Sequence, residues 1–501
     1  MRTQVLTISS VLFTISLLIT LYFLGSENNI GLTLSVIVTT IFLSLFLLVV
    51  SDIIQVKHSL KRNFPLLAHL RWIFEEQRPK IQQYFVENDL DGKPYSKEER
   101  SIVYQRSKGD QETIPFGTQH DVYKKGHEFV KHSMFPKHIN LEKINVGSKD
   151  CNKPYNSSIL NISAMSYGSL SGAAVRSLNI GSKNGEFAQN TGEGGISPHH
   201  LQGGDIIFQI GTGYFGAGIT ENGVRKFHES TFKINANLPQ VKMIEVKLSQ
   251  GAKPGHGGIL PSKKNTKEIA EIRGVEPFTT VKSPSSHTEF SDFDSMVDFI
   301  DKLRKLSNGK PIGIKLCVTS ESEIEQMVKT FQKRNTYPDF ITVDGSEGGT
   351  GSAPLEYSNN MGTPLFEGLQ TVVKYLNVYN LYKDIRVFAS GKLVTGFDIV
   401  KALSLGANGV NMARPFMMSL GCIQARECNK DTCPVGIATQ NKSLEKGLVV
   451  EDKHIRVTRF HKRTLEVVSE MIGSMGIDSQ FDLKSSMIHK RNSEGNIETY
   501  G

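Results

Sequence analysis

Cysteine is scarce in this chain, five among 501 residues, and two of the five, Cys151 and Cys317, stand alone. Such a set builds no disulfide framework, and it fits a reduced setting. A second closely spaced C-x2–4-C pair beside Cys428 and Cys433 is missing as well, which argues against a four-ligand structural zinc site. Basic tracts are lacking: the net charge is +8, but the lysines and arginines are spread out, and no nucleic-acid arm is present. No internal repeat or low-complexity segment occurs, so a solenoid is excluded. What remains is a globular composition, 39% hydrophobic and 22% charged, long enough for one large domain with accessory parts.

The N-terminus lacks charge altogether. No ionised side chain occurs between Arg2 and Glu27, and Val5–Leu24 is dominated by Leu, Ile, Val and Phe. A second uncharged run extends from Asn28 to Ser51. Each reaches the ~20 residues that cross a bilayer core as a helix. The link Gly25–Ile30 has no Lys or Arg, whereas Lys57, Lys61, Arg62 and Arg71 follow the second run. The positive-inside rule then puts the link outside, and both termini with the catalytic domain in the cytoplasm. A cleaved signal peptide accounts for the first run but not the second. The expectation is a two-pass hairpin anchor over 1–51, then an accessory region over 52–150. In that region His120, His127, His132 and His138 show no metal-ligand spacing.

The other three cysteines fall within twelve residues, Cys422, Cys428 and Cys433, spaced C-x5-C-x4-C, with Pro434 after the last. Iron–sulfur sites take thiolates from irregular loops, often with a proline beside a ligand. Three thiolates suit a cuboidal cluster with one vacant corner; the plain alternative is three unrelated buried cysteines. A cluster that passes electrons needs a redox partner close by.

From Ser158 onward short apolar runs alternate with helical patterns. Strands are expected at Ile162–Met165, Phe187–Asn190, Ile206–Ile210, Met243–Leu248, Ile312–Leu316, Phe340–Val343, Arg386–Ala389 and Gly409–Met412. Helices are clearest at Phe293–Leu306, Glu321–Gln332, Thr363–Leu376 and Phe397–Leu405. This alternation predicts an α/β fold, a (β/α)8 TIM barrel, with a doubly wound sheet as the alternative. The GxGxxG at Gly211-Thr-Gly213-Tyr-Phe-Gly216 follows a strand, but no helix-opening pattern comes after it, so dinucleotide binding there is not expected. Barrels bind ligands over the carboxyl ends of their strands, with phosphate often after strands seven and eight. Glycine-rich turns stand in those places: Asp344–Gly351, Ser390-Gly391-Lys392 and Ala413-Arg414-Pro415. Such turns present amides to anions. Lys315 ends strand five, where a cation would stabilise the N1/O2 edge of a reduced flavin; an outward structural lysine is the alternative.

At these residues the chain resembles the FMN-binding synthase region of glutamate synthase, over about residues 155–480. The shared motifs are Ser163-Ala164-Met165-Ser166 with Gly168–Ser171, Asn190-Thr-Gly-Glu193-Gly-Gly195, Gln250-Gly-Ala-Lys253-Pro-Gly255, Asp344–Gly351 and Cys422–Gln440. The resemblance implies a domain over 151–480 that holds FMN and a [3Fe-4S] cluster, followed by a polar tail over 481–501. It implies reductive amination of 2-oxoglutarate through 2-iminoglutarate, with Cys422, Cys428 and Cys433 as cluster ligands. Flavin contacts are implied for Ala164, Met165, Ser166, Asn190, Lys315, Gly348, Gly349, Thr350, Gly351, Gly391, Lys392, Ala413 and Arg414. Glu193 matches an acid–base group, and Lys253 and Arg273 match cations that grip the dicarboxylate. That chemistry is sound for these residue types.

Two departures stand out. The family's Gly-Glu-Gly-Gly-Gln reads Gly255-His256-Gly257-Gly258-Ile259 here, replacing a polar contact with Ile259. The glutamine-hydrolysing part is not expected either, so ammonia or another amine would come from solution or a separate amidotransferase subunit. The electron donor would be a separate protein or a quinone pool. A related amine-transferring enzyme, such as one forming N-methylglutamate, and a non-catalytic FMN-binding membrane subunit are the alternatives.

Overall fold

The computed structural model describes residues 2–221 and 223–500. The chain divides into two compact units, Met1–Lys97 and Glu98–Gly501. In the first, helices α1 (Arg2–Leu24) and α2 (Asn29–Ile54) form a hairpin. The Asn28 side chain caps α2 by accepting from the Gly31 amide at 2.9 Å. Phe13 stacks on Phe46, and the Thr20 and Thr39 hydroxyls meet at 2.9 Å. Other hydroxyls turn back onto their own helices, as Thr14 does to Ser10 O and Ser44 to Thr40 O. These hydroxyls are thereby satisfied inside the segment, as a nonpolar surrounding requires. Both helices are long and apolar enough to cross a membrane.

In the second unit eight short strands close into a parallel barrel: β1 (Leu160–Ile162), β2 (Ala188–Asn190), β3 (Asp205–Ile210), β4 (Val241–Lys247), β5 (Ile312–Leu316), β6 (Phe340–Asp344), β7 (Arg386–Ser390) and β8 (Gly409–Met412). They pair in chain order, with β8 returning to β1. Their residues are buried without alternation because both faces are covered. The outer layer includes α3 (Gly172–Gly185), α4 (Phe293–Leu306), α5 (Glu321–Arg334), α6 (Leu365–Val378), α7 (Gly396–Ser404) and α8 (Val450–Ser474), the last packed on α3 and α7. Helix α4 shows why these segments coil and stop. Asp292 and Ser295 form a capping box, and Met296, Val297, Phe299, Ile300 and Leu303 bury one stripe. Burying each such side chain contributes about 1.5–3 kcal/mol, so Leu303→Ala should cost about 2–5 kcal/mol.

Three details differ from the sequence expectations. The first strand is Leu160–Ile162, not Ile162–Met165: after Ser163 donates to Met412 O at 2.9 Å the chain leaves the barrel, and Ala164–Ser166 lie in the following loop. Helix α6 starts at Leu365 because Pro364 occupies its cap and Thr363 bonds Val318 O. Residues after 480 do not trail as a tail. The strands Ile488–Arg491 and Ile497–Thr499 form a sheet with Glu128–Val130.

Candidate active site

The carboxyl ends of β2, β4, β5 and β6 gather four charged side chains. Lys247 ends β4 and Lys315 lies on β5, and the two are Cα partners on the parallel ladder. Lys247 Nζ is 3.1 Å from Glu193 Oε1, and Lys315 Nζ is 3.4 Å from Asp344 Oδ2. Glu193 sits on the tight turn Gly192–Gly194 after β2. Its carboxylate is pinched between Gly211 and Gly258, where a Cβ at either position would strike its oxygens. The GxGxxG segment thus works as a close-approach loop. It leads into the hairpin Gly218–Glu221/Val224–Phe227, with no helix at its start.

A cleft opens beside this pair, lined by Glu193, Thr212, Lys247, Gln250, His256 and Pro284, with neighbours along the same loops. Lys253 is buried, and its Nζ donates to Ser352 O at 2.8 Å. Gln250 donates to Gly349 O at 2.8 Å, so the loops after β4 and β6 are tied twice. Arg273 does not line the cleft. Its guanidinium donates to Tyr167 O at 3.1 Å and lies over the Phe215 ring at 5.1 Å, and its buried Nε has no partner among the described residues.

Electrostatics couples these groups. Burial pushes the Glu193 carboxyl up, but Lys247, Lys253 and Arg273 outweigh it and hold the group below the usual carboxylate range. Burial, and then Lys247, lower Lys253, while Glu193 opposes them. Burial lowers Arg273 to about 10, against Glu193, so it stays charged at neutral pH. Beneath Lys247, His287 fixes the strand end: Nε2 is 2.9 Å from Lys247 O and Nδ1 is 3.0 Å from Tyr214 Oη. Burial lowers His287 to about 4 and keeps it neutral.

On the β6–β8 side the groups are backbone. Among the described residues nothing accepts from the amides of Gly349, Gly351, Gly391 or Ala413. Arg414 crosses the turn, donating to Glu347 O at 2.6 Å, and a Cβ at Gly349 would lie 2.7 Å from its Cδ. Lys392 instead pairs with Glu99 at 3.5 Å. Ser163 meets Ser390 at 3.2 Å, and Ser166 meets Ser169 at 3.1 Å. Asn190 turns inward, donating to the buried Glu245 at 2.8 Å while its Oδ1 accepts from Gly192 and shapes the Glu193 turn.

The cysteine loop follows β8. Gln424, Arg426 and Asp431 all have left-handed backbones, uncommon for residues other than glycine. Burial pushes the Cys422 thiol up to about 12, with Cys428 and Cys433 adding to it, and burial and Cys433 raise Cys428. No group of three or more His, Cys, Asp or Glu is gathered tightly enough to hold a metal among the described residues.

Lys247 and Tyr104 escaped the sequence reading. Lys247 carried the same signal as Lys315, a lysine at a strand's carboxyl end. Tyr104 donates to Cys422 O at 2.7 Å, and nothing in its surroundings in the sequence points there.

An in-order parallel barrel with ligand groups at its carboxyl mouth defines a (β/α)8 protein with a candidate active site in the usual place for that fold. Residues 111–478 match the family described as a conserved region in glutamate synthase. Bacillus subtilis (strain 168) has a "Glutamate synthase large subunit-like protein YerD", 37% identical, spanning 89% of this chain and 93% of that one. The chain belongs to the glutamate synthase family of oxidoreductases. The same bacterium's "Glutamate synthase [NADPH] large chain" is 32% identical over 62% of this chain and 20% of its own length. The "Archaeal glutamate synthase [NADPH]" of Archaeoglobus fulgidus is 29% identical over 65% of this chain and 60% of its own. Among solved structures, the flavin-binding domain of baker's yeast flavocytochrome b2 is 14% identical with a TM-score of 0.44, over 86% of this chain and 89% of that one.

Proposed function

We propose that this protein is a membrane-anchored, FMN- and [3Fe-4S]-dependent enzyme that reductively aminates 2-oxoglutarate to L-glutamate through 2-iminoglutarate. The observation that carries the reading is the Glu193–Lys247 pair, 3.1 Å apart at the edge of the cleft. Forming an imine needs two proton movements: one off the attacking amine and one onto the departing hydroxyl. A carboxylate kept ionised by three cations suits the first, and an adjacent ammonium suits the second. Lys253 and Arg273 supply positive charge for the two carboxylates of the acid. Both are buried, so their attraction is weakly screened.

The glycine turns suit FMN, whereas the cluster reading rests on the donor set alone, three thiols that are not drawn into a metal-binding group among the described residues. The unaccepted amides of Gly349, Gly351, Gly391 and Ala413, with Gly348, Thr350, Lys392 and Arg414, suit the phosphate of FMN. Lys315 suits the flavin's pyrimidine edge, and Ala164, Met165, Ser166 and Asn190 belong to its surroundings. Cys422, Cys428 and Cys433 offer a thiolate set for the cluster. When bound, FMN supplies hydride to the imine carbon, and the cluster supplies single electrons. The α1–α2 hairpin anchors the chain, with the barrel in the cytoplasm.

Amine-dependent reoxidation of photoreduced protein, screened over several 2-oxo acids and amines, tests the reading. Fastest turnover with 2-oxoglutarate and ammonia supports it; no turnover with any pair makes the chain a non-catalytic subunit. Cys428→Ser should empty the protein of iron and leave FMN largely bound, checked by metal and flavin analysis. Zinc in place of iron would end the cluster assignment.

A further inference from the structure

In the first unit α2 is followed by the helix Leu67–Ile81, whose apolar residues point outward. Leu67, Leu70, Phe74 and Ile81 recur at the three- and four-residue steps of one helical face, with Ile73 beside them and Gln77 in line. All of these apolar side chains are exposed, as are Tyr84, Phe85 and Val86 in the turn that continues the helix. The contacts the unit makes with this helix fall on the other face. Ala68 is buried there, and Trp72 meets the His58 ring edge-on and lies under Lys61 Nζ at 4.9 Å. Arg71 and Arg78 run along one edge of the apolar stripe and Lys80 along the other, while Glu75 and Glu76 lie off it. Single exposed apolar residues are ordinary, but a contiguous stripe marks a contact surface.

The start of this helix is fixed to the end of α2. Asp52 is buried in the last turn of α2; it accepts from the Leu66 amide at 3.1 Å and pairs with His69 Nε2 at 2.9 Å. The bend so closed is tight, since Leu66 has a left-handed backbone with φ 65°, which is uncommon for a residue of its size. Arg62 Nε donates to Ile53 O at 3.2 Å and finishes the end of α2. The 26 residues of α2 make a helix of about 39 Å, longer than a hydrocarbon core of about 30 Å. In a bilayer its last turn therefore emerges among the headgroups, and the Asp52 clasp starts the next helix at that level.

We infer that Leu67–Ile81 is an interfacial helix, lying on the cytoplasmic leaflet of the same membrane that α1 and α2 span. Its apolar stripe enters the acyl boundary, and Arg71, Arg78 and Lys80 meet anionic headgroups. The inference rests on the reading of α1–α2 as a membrane anchor. Charge selects lipid as the occupant: the stripe is bordered on both edges by cations, with the two acids turned away, and the cytoplasmic leaflet carries a negative surface potential. Long basic side chains can bury their stems along the stripe while their charged ends stay in the headgroup layer. Such helices bury their apolar face about 5–10 Å into the boundary, the depth at which the clasp begins this one.

Trp72 is the only tryptophan in the chain, so one reporter can be moved across the helix. The parent carries it on the far face, and the full-length double variant Trp72→Phe/Phe74→Trp carries it in the stripe. Phe74 is exposed, so the exchange disturbs no core. Both proteins are reconstituted into phosphatidylcholine vesicles with and without phosphatidylglycerol, with bromine on the acyl chains as a contact quencher. In the anionic vesicles the reporter at position 74 should be quenched about twofold more than Trp72, because only the stripe reaches the acyl boundary. Adding Arg71→Glu and Arg78→Glu should shrink that difference in anionic vesicles and change it little in phosphatidylcholine alone. Equal quenching at the two positions overturns the inference. So does blue-shifted emission at position 74 that bromine leaves untouched, which means that protein covers the stripe. Red-shifted emission open to acrylamide overturns it as well, since water then covers the stripe. Alkaline carbonate extraction separates the two readings. Protein that stays in the membrane with an unquenched reporter loses only the interfacial helix, whereas protein washed out by carbonate loses the hairpin anchor itself.

Discussion

The two sides of the barrel mouth handle charge by different means. Around β2, β4 and β5 it is carried by side chains, Glu193, Lys247, Lys253 and Lys315, each with a partner at a defined distance. Beyond β6, β7 and β8 it is offered by peptide amides on glycine turns. The first kind of site can be retuned one residue at a time, and His256 and Ile259 stand on that side. The second kind depends on backbone path, so it tolerates little change except where a side chain points away. A scaffold divided in this way can hold one cofactor while its substrate preference drifts.

Four changes probe that division, beginning with the largest effect. Glu193→Gln removes the proton acceptor and keeps the shape between Gly211 and Gly258. Turnover should fall by about 10²–10⁴, the usual range for losing an acid–base group, with FMN content unaltered. Rapid-mixing kinetics alongside flavin absorbance will show whether the two separate. Gly349→Val, on the other side, drives a branched side chain against Arg414. An overpacking cost of about 1–3 kcal/mol corresponds to roughly five- to hundredfold weaker FMN binding. Flavin release measured by fluorescence should follow, and full FMN retention would show that the cradle lies elsewhere.

Arg273→Lys keeps one positive charge and loses the planar fork. If Arg273 leaves Tyr167 O for the dicarboxylate, 2-oxoglutarate should bind about tenfold more weakly, since charged hydrogen bonds contribute roughly 1.5–3 kcal/mol each. An unchanged flavin-monitored titration would mean that Arg273 only braces the loop carrying Tyr167. The mildest effect concerns pH. Because burial and Lys247 lower Lys253, its ammonium is lost as pH rises, at a pH below that of a free lysine. Affinity for 2-oxoglutarate should therefore weaken on the alkaline side. Lys253→Arg should move that limb upward, and a pH series of the same titration measures it.

The sequence carried the barrel because short unalternating apolar runs between amphipathic helices have few other uses. It carried the cysteine loop and the glycine turns because thiol spacing and glycine clusters are local signals. It did not carry Lys247, which lies within the expected strand Met243–Leu248 and stands in none of the glycine or cysteine motifs. The strands Ile488–Arg491 and Ile497–Thr499 were missed because polar four- and three-residue strands are defined by their partners. The expected first strand, Ile162–Met165, started two residues late and ran three too far, as Ala164 and Met165 continue its apolar pattern into a loop packed against Gly192.

The pinch on Glu193 also constrains how this chain can vary among its relatives. Positions 193, 211 and 258 lie on three loops far apart in the chain, yet the carboxylate fills the space that a side chain at either glycine would need. A substitution at 211 or 258 would be tolerated only after the glutamate had been shortened, and a shortened residue at 193 would relieve both glycines of their selection. The three positions should therefore drift as a linked set. A homologue with a bulky residue at either glycine is one in which to look for a different acid–base group.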